Sequence, residues 1–139
     1  MATHNDSMTC VAGASISIYS IVELAPEVSQ TSDLPVIKMC NSSSDVIFGV
    51  AMATAEEGDL ITVRFPFSGM LPAYVYASGG ATEVKPGDGL TIGVTYDGSL
   101  SNNPGAAYAR KVAYIVQTKP WTGSGTEWAA VMFVRSYFE

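Results

Sequence analysis

Hydrophobic and polar positions alternate in short runs along this chain, and the most regular runs lie within residues 46–65, VIFGVAMATAEEGDLITVRF. Residues 61–65 alternate apolar and polar side chains, the period of a strand with one face in water. Residues 46–51 are apolar almost throughout, which indicates burial on both faces, and Gly49 indicates a close backbone approach or a bulge. These two runs, joined by an acidic connector, predict a β-hairpin.

Further short runs predict more strands, separated by turns rich in Gly, Pro, Ser, Asn and Asp. The predicted strands are residues 14–22, 36–40, 73–77, 82–84 and 90–96, and the predicted loops are residues 23–34, 66–72 and 99–107. Sustained helical periodicity appears nowhere, so we expect very little helix, at most one short turn near residues 53–57. This pattern indicates an antiparallel sandwich or barrel.

Residues 111–138 repeat the plan of the central hairpin. Residues 112–116 match 47–51 in character, and residues 128–134 match 60–65, with a longer Gly/Ser connector between them. Two similar hairpins suggest a duplicated β architecture. The fold class predicted is all-β: a small antiparallel β-barrel or sandwich, β-tulip-like, with very little helix.

The N-terminal residues are polar and punctuated by methionine, which predicts a flexible arm that a partner would order. We therefore expect an arm over residues 1–12 and a single β domain over residues 13–139. No basic, then apolar leader is present, and no run approaches the roughly 18 apolar residues of a membrane span. A soluble protein without a secretion signal or membrane partner is expected.

The composition and net charge of the chain indicate which kinds of protein and partner are expected. Hydrophobic residues make up 47% of the 139 residues and charged residues 14%, which indicates a compact domain with a surface rich in Ser, Thr and Gly. The net charge of -6 repels phosphate backbones, so nucleic acid is not an expected partner. Cys10 and Cys40 lie in no metal-binding or redox motif, which favours buried or free thiols and leaves one disulfide open.

The chain offers few groups for catalysis. His4, the single histidine, lies in the polar arm where nothing rigid positions it, so a His-based triad is not expected. Clustered carboxylates at residues 56–59 are more typical of a solvated turn than of a cation site. Five further carboxylates are available for glycoside hydrolysis, and all but the first fall in or beside turns: Glu23, Glu83, Asp88, Asp97 and Glu127. We expect no enzyme activity, no cofactor and no metal.

Several apolar residues lie where a core does not obviously need them. The proline-bracketed loop FPFSGMLP either plugs the end of a barrel or meets another subunit. Core packing is expected for Trp128 and exposure for Trp121, while the aromatic C-terminal residues are expected to dock on something. The candidate partner-interface residues are Met8, Phe67, Met70, Leu71, Trp121, Tyr137 and Phe138. Their surplus predicts a homo-oligomer.

Several short motifs resemble one known family. They are FGVA at 48–51, GD at 58–59, ITVR at 61–64, GG at 79–80 and PGD at 86–88. With the closing hairpin of residues 111–134, they resemble the head decoration, or cement, proteins of tailed bacteriophages. The FPFSGMLP loop and the connector around Trp121 depart from that pattern, so capsid contacts there are not implied.

The resemblance implies a non-enzymatic virion protein, commonly trimeric, that is made in the host cytoplasm and binds the outside of the mature capsid. Its partner would be the major capsid protein, and its role would be to brace the lattice against internal DNA pressure. A carbohydrate-binding β-sandwich module would suit the same features, with aromatic side chains as a stacking platform, and a small glycosidase is a third alternative.

Overall fold

A computed structural model describes residues 6–26, 33–77, 83–102, 110–116, 121–122 and 127–137, and all regular structure in these ranges is β. The strands are β1 Ser7–Ala12, β2 Ile21–Leu24, β3 Val36–Met39, β4 Gly49–Ala51, β5 Leu60–Arg64, β6 Met70–Ala77, β7 Glu83–Val84, β8 Gly89–Ile92, β9 Leu100–Asn102, β10 Lys111–Ile115, β11 Trp121–Thr122 and β12 Glu127–Tyr137. Among these residues there is no helix that is long and apolar enough to cross a membrane. The all-β prediction is confirmed.

Strands β1 to β5 close into a first barrel, which we call barrel 1, in the order β1-β3-β2-β4-β5. β1 closes it by pairing antiparallel with β5 on one side and parallel with β3 on the other. β4 and β5 form the predicted central hairpin, with Ala51 opposite Val63. In β5, Ile61 and Val63 are buried and Leu60 and Thr62 are exposed, as the alternation predicts.

Strands β6, β8, β9, β10 and β12 close into barrel 2, and β7 pairs with β11 outside it. Taken in chain order, the five strands of barrel 2 pair as those of barrel 1 do, including one parallel pair, β6 with β9. β10 and β12 therefore correspond to β4 and β5. The duplicated architecture predicted from the two similar hairpins is therefore confirmed. Each barrel contains one parallel pair of strands, so neither is purely antiparallel as predicted.

The two barrels share part of their core. One apolar cluster belongs to barrel 1 alone and includes Val22, Ala51 and Val63. The other unites barrel 2 with residues of barrel 1 such as Ile21 and Val50. Neighbouring residues of a strand point to opposite faces, so β2 and β4 contribute to both clusters. This explains the continuous apolar run at β4, which is buried on both faces as predicted.

A loop of barrel 2 fixes the junction between the barrels. Gly98 donates its N–H to the carbonyl of Cys40 at 2.7 Å, and its own carbonyl accepts the N–H of Ile21 at 2.9 Å. A β-carbon on Gly98 would lie 2.7 Å from Cβ of Ser20, and its φ of 78° favours glycine. The Asp97-Gly98 turn is thus inserted between β2 and the end of β3.

Two local predictions from the first half of the chain are wrong. Residues 14–22 do not form one strand, because Tyr19 adopts a left-handed φ of 67° and separates the isolated Ile16–Ala55 bridge from β2. The short helical turn expected near residues 53–57 is absent, since Ala55 exchanges two backbone hydrogen bonds with Ile16. Both departures come from pairing with distant residues.

Two segments predicted as loops contain strands. Residues 70–72 belong to β6, and Pro72 is tolerated because β6 pairs there with β12, while β9 begins its pairing only at Val75. Residues 100–102 form β9 despite their polar sequence. Ser101 and Asn102 are buried there, between β6 and β8.

The boundary of the predicted arm is also wrong in part. Residues 7–12 form β1, which pairs with β5 from Ser7 opposite Arg64 to Val11 opposite Leu60. Cys10 and Ala12 of this strand are buried in barrel 1. Residues 1–5 lie outside the described residues, so the arm prediction is confined to them.

Candidate functional site: interface surfaces

Both thiols are buried and unpaired, as favoured from the sequence. Burial raises the pKa of Cys10 to about 11. Burial raises the pKa of Cys40 further, and the negative charges of Glu23 and Asp45 act in the same direction. Both thiols are therefore protonated at neutral pH, whereas nucleophilic attack and metal ligation need the thiolate.

Glu23, Cys40 and Asp45 place ligand atoms within 4.8 Å of one another, the one such group of three among the described residues. The arrangement has a structural explanation. Asp45 accepts the N–H groups of Asn41 and Ser42, each at 2.9 Å, and so caps its own turn. Burial acts to raise the pKa of Asp45, but hydrogen bonds with Glu23 and these amides outweigh it and lower the pKa. The Lys38 ammonium lies 4.0 Å from Glu23.

The acidic turns also have structural roles. Asp59 accepts the N–H of Glu56 at 3.0 Å, and Asp88 accepts the N–H of Lys85 at 3.0 Å. Gly58 and Gly87 precede these aspartates with φ of 90° and 85°, as a type II turn requires. The turn interpretation of residues 56–59 therefore fits the geometry. Among the other carboxylates, Asp97 and Glu127 are exposed, and the side chain of Glu83 lies outside the described atoms.

An open hollow of about 150 Å³ lies where the two barrels meet, and we call it the inter-barrel hollow. Its walls come from the turn before β4, the β5–β6 linker and strands β10 and β12. They consist of Asp45, Val46, Ile47, Pro66, Phe67, Arg110, Val112, Phe133, Val134 and Arg135. Val46 is 77% exposed and Phe67 is 68% exposed, so apolar surface faces water at its rim.

Two arginines border this apolar surface. The Arg110 guanidinium donates to the carbonyls of Ser43 and Asp45, which holds it against barrel 1. Its Nε is buried and has no hydrogen-bond partner among the described residues. Arg135 is exposed on β12. Because the chain carries 7 basic against 13 acidic residues, two guanidinium groups at one hollow make it locally cationic relative to the rest.

A second surface is aromatic. The ring of Tyr19 lies 6.2 Å from that of Tyr74 and 5.9 Å from that of Trp128, in tilted contacts. Trp128 lies opposite Tyr74 in the β6–β12 pairing and is 54% exposed. The prediction that Trp128 packs in the core is therefore wrong. Its side chain projects from the outward face of β12, where its neighbour Ala129 points inward.

The predicted interface residues separate into three groups. Phe67 and Met70 are exposed, the latter by 61%. Leu71 is completely buried in the shared core, so it plugs barrel 2 and is unavailable to a partner, and Met8 packs against the core of barrel 1. Trp121 and Tyr137 are in strands, but their side chains lie outside the described atoms, as does the whole of Phe138.

Sequence reasoning missed the residues that complete both surfaces. The apolar pattern places Val46 in a buried run, and no motif marks Arg110 or Arg135. Tyr19 and Tyr74 fall in different barrels, so their proximity depends on how the barrels pack. The one signal available was charge: two of the seven basic residues flank the closing hairpin.

Comparison with known proteins shows a likeness of fold. No protein-family model matches the sequence, and no curated protein matches it. The fold is similar to a solved structure, the N base of the head fiber gp8.5 in bacteriophage phi29, with a TM-score of 0.62. The likeness covers 96% of this chain and 97% of that chain at 21% sequence identity. The likeness shows that this chain shares its fold with a phage head protein.

Proposed function

We propose that this protein is a structural virion component that binds the outside of a phage capsid and stabilises it without covalent chemistry. The observation that carries the proposal is the likeness to a phage head fiber base across nearly the whole chain, both barrels included. A likeness confined to one barrel would support only a common β module.

The chemistry of the described residues supports the same conclusion. Their thiols are protonated, and Asp45, Asp59 and Asp88 accept backbone N–H groups that hold turns. Such roles stabilise a fold, because they pair these carboxylates with backbone donors of their own turns. A virion protein that braces a lattice needs rigid modules and complementary surfaces, which two barrels with a shared core provide.

The partner in this proposal is the major capsid protein, and the oligomer is a trimer. Support for self-association comes from exposed apolar side chains such as Phe67 and Met70. The trimer itself follows from the family resemblance. Sedimentation equilibrium of the purified protein measures this directly, and a monomer at every concentration up to saturation contradicts self-association in solution.

Co-sedimentation with cognate heads that lack the protein tests the function. Full-length protein should pellet with the heads at a fixed ratio per capsid, and decorated heads should release DNA at a higher temperature than bare heads. Protein that stays in the supernatant at micromolar concentration contradicts capsid binding, and equal release temperatures contradict stabilisation.

The N-terminal arm is tested in the same assay with a deletion of residues 2–5. A longer deletion through Thr9 removes half of β1 and its pairing with β5, so it confounds binding with unfolding. We expect the short deletion to leave the thermal midpoint unchanged and to weaken head binding. Equal binding of the two proteins removes the arm from the proposal and leaves the function intact.

The aromatic surface favours a second candidate function, carbohydrate binding. Three rings in contact, with Trp128 half exposed, offer the flat apolar faces on which pyranose rings stack. A glycan array with the wild-type protein and a Trp128→Ala variant tests this. Glycan signals that disappear in the variant support it, and an empty array with the wild-type protein contradicts it.

A further inference from the structure

The inter-barrel hollow combines features that a single kind of ligand satisfies. Apolar walls of Val46, Phe67 and Phe133 surround a volume of about 150 Å³, comparable to cavities that accept a benzene ring. Arg110 and Arg135 stand beside these walls, and planar guanidinium groups match carboxylates. The hollow therefore fits an apolar side chain that carries, or stands next to, a carboxylate.

The charges around the hollow agree with this choice. Asp45 is the acidic residue on its wall, and its carboxylate accepts the amides of Asn41 and Ser42. Arg110 has one guanidinium nitrogen engaged by the carbonyls of Ser43 and Asp45, while its buried Nε has no partner within the described ranges. Leaving a buried donor unpaired is costly, so an acceptor supplied by a ligand would be stabilising.

We propose that the inter-barrel hollow is a docking site for an acidic, extended segment of the capsid partner, which inserts one aromatic or branched aliphatic side chain between the barrels and places an adjoining carboxylate against Arg110 and Arg135. This inference rests on the proposed function and names the surface through which it acts. Charge complementarity favours an acidic occupant, because two arginines border the hollow whereas the chain as a whole carries a net charge of -6.

Head binding by matched variants tests the proposal. Val46→Ser and Arg135→Gln change the hollow, while Val94→Ser changes another exposed valine, 64% accessible against 77% for Val46, in the loop after β8. Each hollow variant should weaken co-sedimentation with cognate heads by about tenfold or more, and Val94→Ser should bind like the wild type. All three residues are exposed, so circular dichroism should show unchanged folding. Wild-type affinity in both hollow variants overturns the proposal.

A small probe tests the hollow without heads. Titrated with 4-phenylbutyrate, the protein should show NMR shifts at Val46, Val112 and Val134, and its neutral amide analogue should bind about tenfold more weakly. Arg135→Gln should abolish that difference. Equal affinity for acid and amide, or shifts elsewhere, overturns the proposal.

The neighbouring terminal segment gives a further control. Tyr137 lies opposite Lys111, the chain neighbour of Arg110. Tighter probe binding in a Phe138→Ala variant would assign the hollow to the chain's own terminus and overturn the proposal.

If wild-type and hollow variants all bind heads equally, the proposed function stands and this inference fails. If no form binds heads while the probe distinguishes acid from amide, the proposed function fails and the hollow remains an acceptor for acidic apolar groups.

Discussion

Barrel 1 encloses an apolar cluster of its own, whereas the interior of barrel 2 forms one cluster with Ile21, Cys40 and Val50 of barrel 1. The same five pairings close both barrels. The two barrels also differ in composition at corresponding strands: β3 of barrel 1 has the sequence Val-Ile-Lys-Met, whereas β9 of barrel 2 has Leu-Ser-Asn. The two barrels thus share a topology but not a pattern of buried residues. The strands of barrel 1 that face barrel 2 are buried on two sides.

The largest effects should separate the two clusters. Leu100→Ala in β9 and Ile37→Ala in β3 each remove a fully buried side chain, and each should cost about 3 kcal/mol of unfolding free energy. Leu100 belongs to the shared cluster, so its replacement should speed hydrogen exchange in both barrels. Ile37→Ala should do so in barrel 1 alone. Identical exchange profiles for the two variants would show that the clusters are not separable.

A smaller contrast concerns two glycines at close approaches. A β-carbon on Gly49 would collide with the backbone oxygen of Arg64, whereas one on Gly93 would lie 2.5 Å from the side-chain Cε1 of Tyr76. A side chain can move where backbone cannot, so Gly49→Ala should cost about 3 kcal/mol and Gly93→Ala about 1 kcal/mol. Urea unfolding measures both, and the reverse order would contradict this account of β4.

The two aspartate turns sharpen the comparison further. Asp59 accepts one backbone N–H, while Asp88 accepts that of Lys85 and also the side-chain amide of Asn102 at 2.9 Å. Asp88→Ala should therefore cost about 2 kcal/mol and Asp59→Ala about 1 kcal/mol. Asparagine keeps the acceptor oxygen, so Asp→Asn at each position serves as the matched control and should lose less in thermal unfolding.

The smallest effect is a pH dependence that belongs to barrel 1, which carries both cysteines. Their pKa values are raised by burial, so the folded state keeps protons that the unfolded thiols release above about pH 9. This contribution to stability is complete below about pH 9 and is lost as pH rises from there to about 11, the pKa of Cys10 in the folded protein. Urea midpoints should fall between pH 9 and pH 11, and Cys10→Ala should flatten the slope. An unchanged slope would contradict the burial effect.

Much of the fold follows from local signals. The alternation in β5, the double-sided burial of β4 and the Gly-Asp turns were readable, because each depends on neighbouring residues and on the φ that glycine permits. The correspondence of the two hairpins is also visible in the sequence as a repeated hydrophobic pattern. In the structure the two hairpins occupy equivalent places in the two barrels.

The remaining features depend on distant contacts. β9 is polar in sequence, and its burial follows from lying between β6 and β8. Tyr19 interrupts a regular apolar alternation because its backbone bonds to Ala51 and to Tyr74. The inter-barrel hollow draws its walls from both barrels and the linker between them. No local pattern specifies which residues such packing brings together.

The linker between the barrels lies beside the point where the chain enters the first of them. Phe65 donates its N–H to the carbonyl of Asp6, and Ser7 lies opposite Arg64. Met70, where barrel 2 begins, lies opposite Met132 near the end of the last strand. A passenger peptide fused before Asp6 or after Tyr137 would thus emerge on the same side, beside the inter-barrel hollow. Insertion at the turn of residues 56–59, at the far end of β5, would place such cargo away from it.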